Sequence, residues 1–80
     1  MTGIPWVSDR QLDLRGLACP LPVLKARKAL LALARGQRLV VEASDPLAAI
    51  DIPHYCSEAG HVLVATEKRG DAWLFLIERG

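Results

Sequence analysis

The residues best suited to chemistry lie in one short segment, GLACPLPVLKAR, which runs from Gly16 to Arg27. In it, Cys19 is followed by Pro20 and Pro22, at the point where residues of high helix propensity begin. The first N–H groups of a helix have no intrahelical acceptor, and proline lacks that N–H. We therefore expect the two prolines to begin a helix and to hold Cys19 in an extended conformation at or beside its N-terminus.

A cysteine in this position has a definite chemistry. A helix N-terminus carries about half a positive charge and favours an anion, so the pKa of Cys19 is expected to fall below its free value of about 8.5. Positive side chains nearby, Arg15, Lys25 and Arg27, would act in the same direction. The thiolate is the nucleophilic form of cysteine, and a persulfide anion would be stabilised by the same field. The alternative is that Cys19 is a small buried apolar residue.

A strand and a helix are predicted on either side of Cys19. RQLDLRG alternates apolar and polar residues and predicts a strand that closes at Gly16. The helix is expected from Pro20 to Arg35, with Gly36 just beyond its end. Its apolar face is expected to consist of Val23, Ala26, Leu30, Leu33 and Ala34.

The rest of the chain predicts a strand, a second helix and a hairpin. QRLVVEAS is typical of a buried strand. The second helix is expected to begin at Ser-Asp-Pro, where Ser44 or Asp45 caps it, and to end at Gly60. Pro53 is expected to kink it or to restart it at Ile52. HVLVATEKR and AWLFLIER predict two strands joined by a Gly-Asp turn. The order β-α-β-α-β-β favours an α+β fold, a two-layer α/β sandwich with two helices packed on a four-stranded mixed sheet.

Length and composition favour a single domain, expected at 10–80 after a loose N-terminal leader at 1–9. A net charge of +1 gives no field that would attract nucleic acid or an acidic membrane. No signal peptide or membrane-spanning run is visible, and two cysteines are few for a secreted disulfide scaffold. We therefore expect a cytoplasmic protein with reduced thiols.

Two side chains have more than one interpretation. Arg27 falls with the apolar face of the first helix, where it would need a carboxylate such as Asp13 or Asp45, or would extend to water. Cys56 is either a packed core thiol, which we favour, or a second thiol that pairs with Cys19. Metal binding is not expected, because the histidines and cysteines match no familiar zinc spacing.

The last predicted strand is apolar on both faces. Trp73, Phe75 and Ile77 alternate with Leu74 and Leu76. One set is expected to pack under the helices. The other either leaves an exposed apolar sheet face that would attract a partner or is covered because the strand is central.

With LDLRGLACPLPVLKARKAL assembled, the chain resembles the TusA/SirA family of small sulfur-carrier proteins over about Leu12 to Arg79. The features that carry the resemblance are Cys-Pro-x-Pro after Gly-Leu, and the later stretches SDP and DIPHYC. The resemblance implies the β-α-β-α-β-β sandwich, with Cys19 accepting sulfane sulfur as a persulfide from a cysteine desulfurase or rhodanese-like donor and passing it to an acceptor protein. The family's motif and polar positions fall here on Gly16, Pro20, Pro22, Asp13, Arg27 and Asp45.

The resemblance also implies a function that needs no cofactor, in which the protein is a co-substrate of sulfur transfer rather than a turnover enzyme. The pathway would be 2-thiolation of tRNA or another sulfur relay; Leu21 stands where the tRNA-thiolation members carry glutamate. Two other functions compete with this one. A regulatory or RNA-binding module would use the basic face of Lys25, Lys28 and Arg35, and a redox switch would pair Cys19 with Cys56.

Overall fold

The computed structural model describes residues 6–80, which form four strands and two helices in the predicted order. The first five residues of the predicted leader lie outside this range. The elements are β1 (Arg10–Asp13), α1 (Leu21–Leu31), β2 (Arg38–Ala43), α2 (Ala48–Ala59), β3 (Val62–Arg69) and β4 (Ala72–Glu78).

The strands form one mixed sheet in the order β1-β2-β4-β3. β1 pairs with β2 in parallel, and β4 pairs antiparallel with both β2 and β3. A parallel pair needs a crossover connection, which α1 supplies, whereas β3 and β4 are joined by the expected turn at Gly70 and Asp71. The predicted sandwich of two helices on a four-stranded mixed sheet is confirmed.

The core explains why β4 is apolar on both faces. Phe75 and Ile77 belong to the main cluster, which the two helices and the sheet enclose. On the opposite face, Leu74 and Leu76 are buried together with residues of the neighbouring strands, and Trp6 packs against them. β4 is therefore a covered central strand in residues 6–80, not the carrier of an exposed apolar face.

Tertiary contacts move several helix boundaries away from their predicted positions. α1 ends at Leu31 rather than at Arg35, because the chain turns towards β2 and Gly36 N–H donates to the carbonyl of Arg79. α2 begins at Ala48, two residues after Pro46, and its N-cap is Leu47 rather than Ser44 or Asp45. It continues through Pro53 without a restart.

The continuity of α2 follows from its packing. Ala48, Ile52 and Cys56, spaced four residues apart, are all buried and anchor one stripe of the helix in the core. The helix ends at Gly60 as expected. Gly60 adopts the left-handed conformation with φ of 79°, which favours glycine, and the N–H of His61 donates to the carbonyl of Cys56.

Candidate functional site at the N-termini of the two helices

The topology brings Cys19 and Asp45 together although they are far apart in sequence. β1 and β2 run in parallel, so both strands end at the same edge of the sheet, with Asp13 opposite Glu42. The loop after β1 leads to α1 and the loop after β2 leads to α2. The N-termini of the two helices therefore lie side by side, and each loop can bond to the other.

The loop that carries Cys19 is held by hydrogen bonds to the loop after β2, at Gly16 and at Cys19. Gly16 has a φ of 81°, which favours glycine, and its N–H donates to Ser44 Oγ at 2.8 Å. The Cys19–Pro20 peptide bond is cis, and Pro20 is the N-cap of α1. The helix thus begins one residue later than predicted, and Pro22 is its second residue, where it is buried.

Asp45 holds the two loops together through its carboxylate. Oδ1 accepts a hydrogen bond from the N–H of Leu47 at 2.9 Å, and Oδ2 accepts one from the N–H of Cys19 at 2.6 Å. These bonds, from Leu47 first and Cys19 second, lower the pKa of Asp45 and keep it ionised. Asp45 therefore fixes the backbone of the cysteine rather than acting as the partner of Arg27 or the cap of α2.

The sulfur of Cys19 has a partner that the sequence analysis missed. Its Sγ donates a hydrogen bond to Asp51 Oδ2 at 2.9 Å, from the first turn of α2. A narrow cleft at this contact is lined by Cys19, Pro20, Pro22, Val23, Ala48 and Asp51. Two sequence signals could have identified Asp51: it is acidic, and it lies near the start of the predicted second helix.

The expected fall in the Cys19 pKa is wrong. The hydrogen bond to Asp51 raises the pKa of the thiol, partial desolvation raises it further, and the charges of Asp51 and Asp45 act in the same direction. Ionisation of Cys19 would place a second anion beside a carboxylate 2.9 Å away, and this outweighs the half charge of the helix N-terminus. Cys19 is exposed, and the carboxylate beside its sulfur favours the protonated thiol.

Two of the predicted polar residues lie apart from the sulfur contact. Asp13 is bound by Arg15, whose Nε and Nη2 donate to its two oxygens at 2.9 and 2.8 Å. Arg27 is exposed and borders an open cleft with Tyr55 and His61. In residues 6–80, Arg27 makes no ion pair with Asp13 or Asp45, so of its two interpretations the structure favours the one in which it extends to water.

The Asp13–Arg15 pair makes the free energy of unfolding depend on pH in the acidic range. Hydrogen bonds from Arg15 lower the pKa of Asp13 from 3.8 to about 2. A lowered folded-state pKa means that the ionised carboxylate stabilises the fold above about pH 4, and that this contribution is lost as the pH falls through about 2. We expect Asp13→Asn to lower the urea midpoint at about pH 6 and to leave it nearly unchanged at about pH 2. An equal decrease at both values would contradict this assignment.

Cys56 lies in the core and is nearly inaccessible. Its exposed fraction is 1%, and burial raises the pKa of its thiol to about 11. The structure thus places Cys56 as the core thiol that we favoured. The nearby histidines have other contacts: His54 faces Glu58 at 3.6 Å, and His61 Nδ1 accepts a bond from the N–H of Gly80. Within the described part of the chain, no group of three or more His, Cys, Asp or Glu side chains is arranged to hold a metal ion.

The two thiols are expected to differ sharply towards an alkylating reagent. Iodoacetamide at about pH 8 should modify Cys19 in the folded protein and leave Cys56 intact, because only Cys19 is exposed. Peptide mass spectrometry would locate the label, and the same reaction in denaturant should label both residues. Labelling of Cys56 in the folded protein at a rate comparable to Cys19 would show that the core opens readily.

Comparison with known proteins agrees with this architecture. The family model described as sulfurtransferase TusA matches residues 10–79, nearly the whole chain. The chain belongs to the TusA family. Among solved structures, it is similar to the SirA-like protein from Desulfitobacterium hafniense, with a TM-score of 0.78 and 25% sequence identity over 89% of this chain and 97% of that one.

Membership of the TusA family supports a general role as a sulfur carrier in a relay with donor and acceptor proteins. The matched range includes Cys19, the exposed cysteine whose N–H is bonded to Asp45. Neither helix in residues 6–80 combines the length and apolar character needed to span a bilayer.

Proposed function

We propose that Cys19 accepts sulfane sulfur as a persulfide from a donor protein and passes it to an acceptor protein. The observation that carries this proposal is the placement of Cys19: its thiol is exposed while its N–H is fixed by Asp45 and its Sγ faces Asp51. An accessible sulfur on a fixed backbone suits transfer between proteins, since each partner must bring its own sulfur into line with it.

Exposed apolar side chains at the N-termini of the two helices would provide a docking surface for such partners. They come from the first turn of α1 and the start of α2, and they are Leu21, Leu24, Leu47 and Ile50. Of the other apolar residues close to Cys19 in sequence, Ala18 is exposed, whereas Leu17 and Val23 are half-buried. Both protein partners would need to cover this surface in turn, so donor and acceptor compete for one site.

The pathway served by this carrier belongs to the proposal as well. Leu21 lies on the docking surface beside the cysteine, where it offers an apolar contact in place of the carboxylate expected for tRNA thiolation. We infer a relay with a donor of the cysteine desulfurase or rhodanese-like class, either to tRNA 2-thiolation or to another sulfur pathway, in the cytoplasm.

The experiment that tests the proposal is loading by a protein donor. The protein is incubated with a cysteine desulfurase and cysteine, and its intact mass is measured without reductant. The expected result is the gain of one sulfur atom, reversed by dithiothreitol and mapped to Cys19. A rhodanese-like protein with thiosulfate is tested in parallel. Failure of both donor classes to load Cys19 would overturn the proposal.

A further inference from the structure

The contact between Cys19 and Asp51 gives the reacting sulfur a proton acceptor within hydrogen-bond distance. The 2.9 Å separation joins Sγ directly to Oδ2, without an intervening group. Asp51 is half-buried and lines the same narrow cleft as the sulfur. Any partner that delivers sulfur to Cys19 must therefore react in the presence of this carboxylate.

Asp45 and Asp51 have different tasks. Both oxygens of Asp45 accept backbone N–H groups, which makes this carboxylate a structural anchor. In residues 6–80, the Asp51 carboxylate accepts a hydrogen bond from the Cys19 thiol and none from a backbone N–H. Asp51 can take a proton without breaking a bond that holds the loops together.

We propose that Asp51 is a catalytic residue of sulfur transfer, which accepts the Cys19 proton as the new S–S bond forms and returns it to the departing donor thiolate. This inference rests on the proposed persulfide function. Cys19 attacks as a thiolate, so its proton must leave as the new bond forms and a proton must reach the departing donor thiolate. Asp51 is in position to hold that proton between the two events.

The step is balanced in atoms and electrons. The S–H bond of Cys19 breaks as its proton moves to Oδ2, and the sulfur electron pair forms a bond to the terminal sulfur of the donor persulfide. The donor S–S bond breaks, its electron pair stays on the donor sulfur, and that thiolate takes the proton from Asp51. Thiol and persulfide exchange roles, and no external oxidant or reductant is consumed.

The effect of Asp51→Asn on the transfer rate distinguishes a proton-transfer role of Asp51 from a purely electrostatic one. The carboxylate raises the pKa of the thiol, so its removal increases the thiolate fraction at neutral pH. The other charge that acts on this thiol is Asp45, which remains in place. If Asp51 only suppressed ionisation, Asp51→Asn would speed every reaction of Cys19. If it also returns the proton to the departing donor thiolate, Asp51→Asn slows persulfide transfer but speeds alkylation, because iodide leaves without a proton.

The test compares two small reagents on the same variants, so that protein docking cannot contribute. Iodoacetamide alkylation reports the thiolate fraction, and single-turnover transfer from glutathione persulfide reports the proposed step. For Asp51→Asn we expect faster alkylation and transfer slowed by about 10²-fold or more, the usual range for loss of general acid–base catalysis. Asp51→Glu, which keeps the carboxylate, should recover part of the transfer rate.

Glu58→Gln is the matched control. It removes one carboxylate from the exposed far end of the same helix and should leave both rates unchanged. Transfer by Asp51→Asn that is unchanged or faster overturns the proposal, as does alkylation that falls together with transfer. If the wild-type protein gains no sulfur from any donor, the proposed function itself fails. If wild type and Asp51→Asn load equally fast, only the role of Asp51 fails.

Discussion

Replacing Cys19 with serine is expected to abolish loading of the protein by a sulfur donor. A serine hydroxyl cannot form the S–S bond of a persulfide, and the remaining thiol, Cys56, is buried in the core. The fold should be unaffected, because the hydrogen bond from residue 19 to Asp45 comes from the backbone N–H, which serine also has. Intact mass spectrometry should show no sulfur gain, with a thermal unfolding midpoint close to that of the wild type.

Cys56→Ala is the matched control for this variant. It removes the other sulfur and should retain one donor-loaded sulfur per chain, with some loss of stability from the cavity left in the core. Sulfur gain by Cys19→Ser would contradict the assignment of Cys19 as the carrier residue. Loss of loading in a folded Cys56→Ala protein would contradict it as well.

Phe75→Ala is expected to have the largest effect on stability. Phe75 is fully buried on the central strand β4 and packs in the main core cluster beneath the helices. Removing a buried phenylalanine side chain costs about 3–5 kcal/mol through lost burial and the remaining cavity. For a domain of this size, that lowers the unfolding midpoint by at least about 12 °C, which calorimetry or circular dichroism would measure.

Leu31→Ala is the corresponding control at the surface. Leu31 is 56% exposed at the end of α1, so truncating it should change the free energy of unfolding by about 0.5 kcal/mol or less. Similar losses for the two variants would mean that Phe75 does not pack in the core as described.

Local sequence signals predicted the elements and the position of Cys19 just before the first helix. The alternation in RQLDLRG, the prolines after Cys19 and the Gly-Asp turn each act over a few residues, and the structure has a strand, a helix start and a hairpin there. Helix ends were less predictable. The region of 32–36 has helical composition, but the pairing of Gly36 with Arg79, at the far end of the chain, decides its conformation.

The chemistry of the site depended on contacts that no local pattern contains. Asp45 and Asp51 are 26 and 32 residues away from Cys19, and the parallel pairing of β1 and β2 brings them to it. The predicted thiol pKa used only the helix N-terminus and the nearby cations, and both favour a lowered value. The nearest charge proved to be a carboxylate, which reverses the direction of the shift.

The burial of Cys56 affects how long a persulfide on Cys19 would last. A persulfide on a protein with a second accessible thiol can discharge itself: the thiol attacks, a disulfide closes and hydrogen sulfide escapes. Here that route would require the core to open, because Cys56 lies on the buried face of α2, in the core cluster. We therefore expect a persulfide on Cys19 to lose its sulfur only by reaction with another molecule, and not by disulfide formation within the chain.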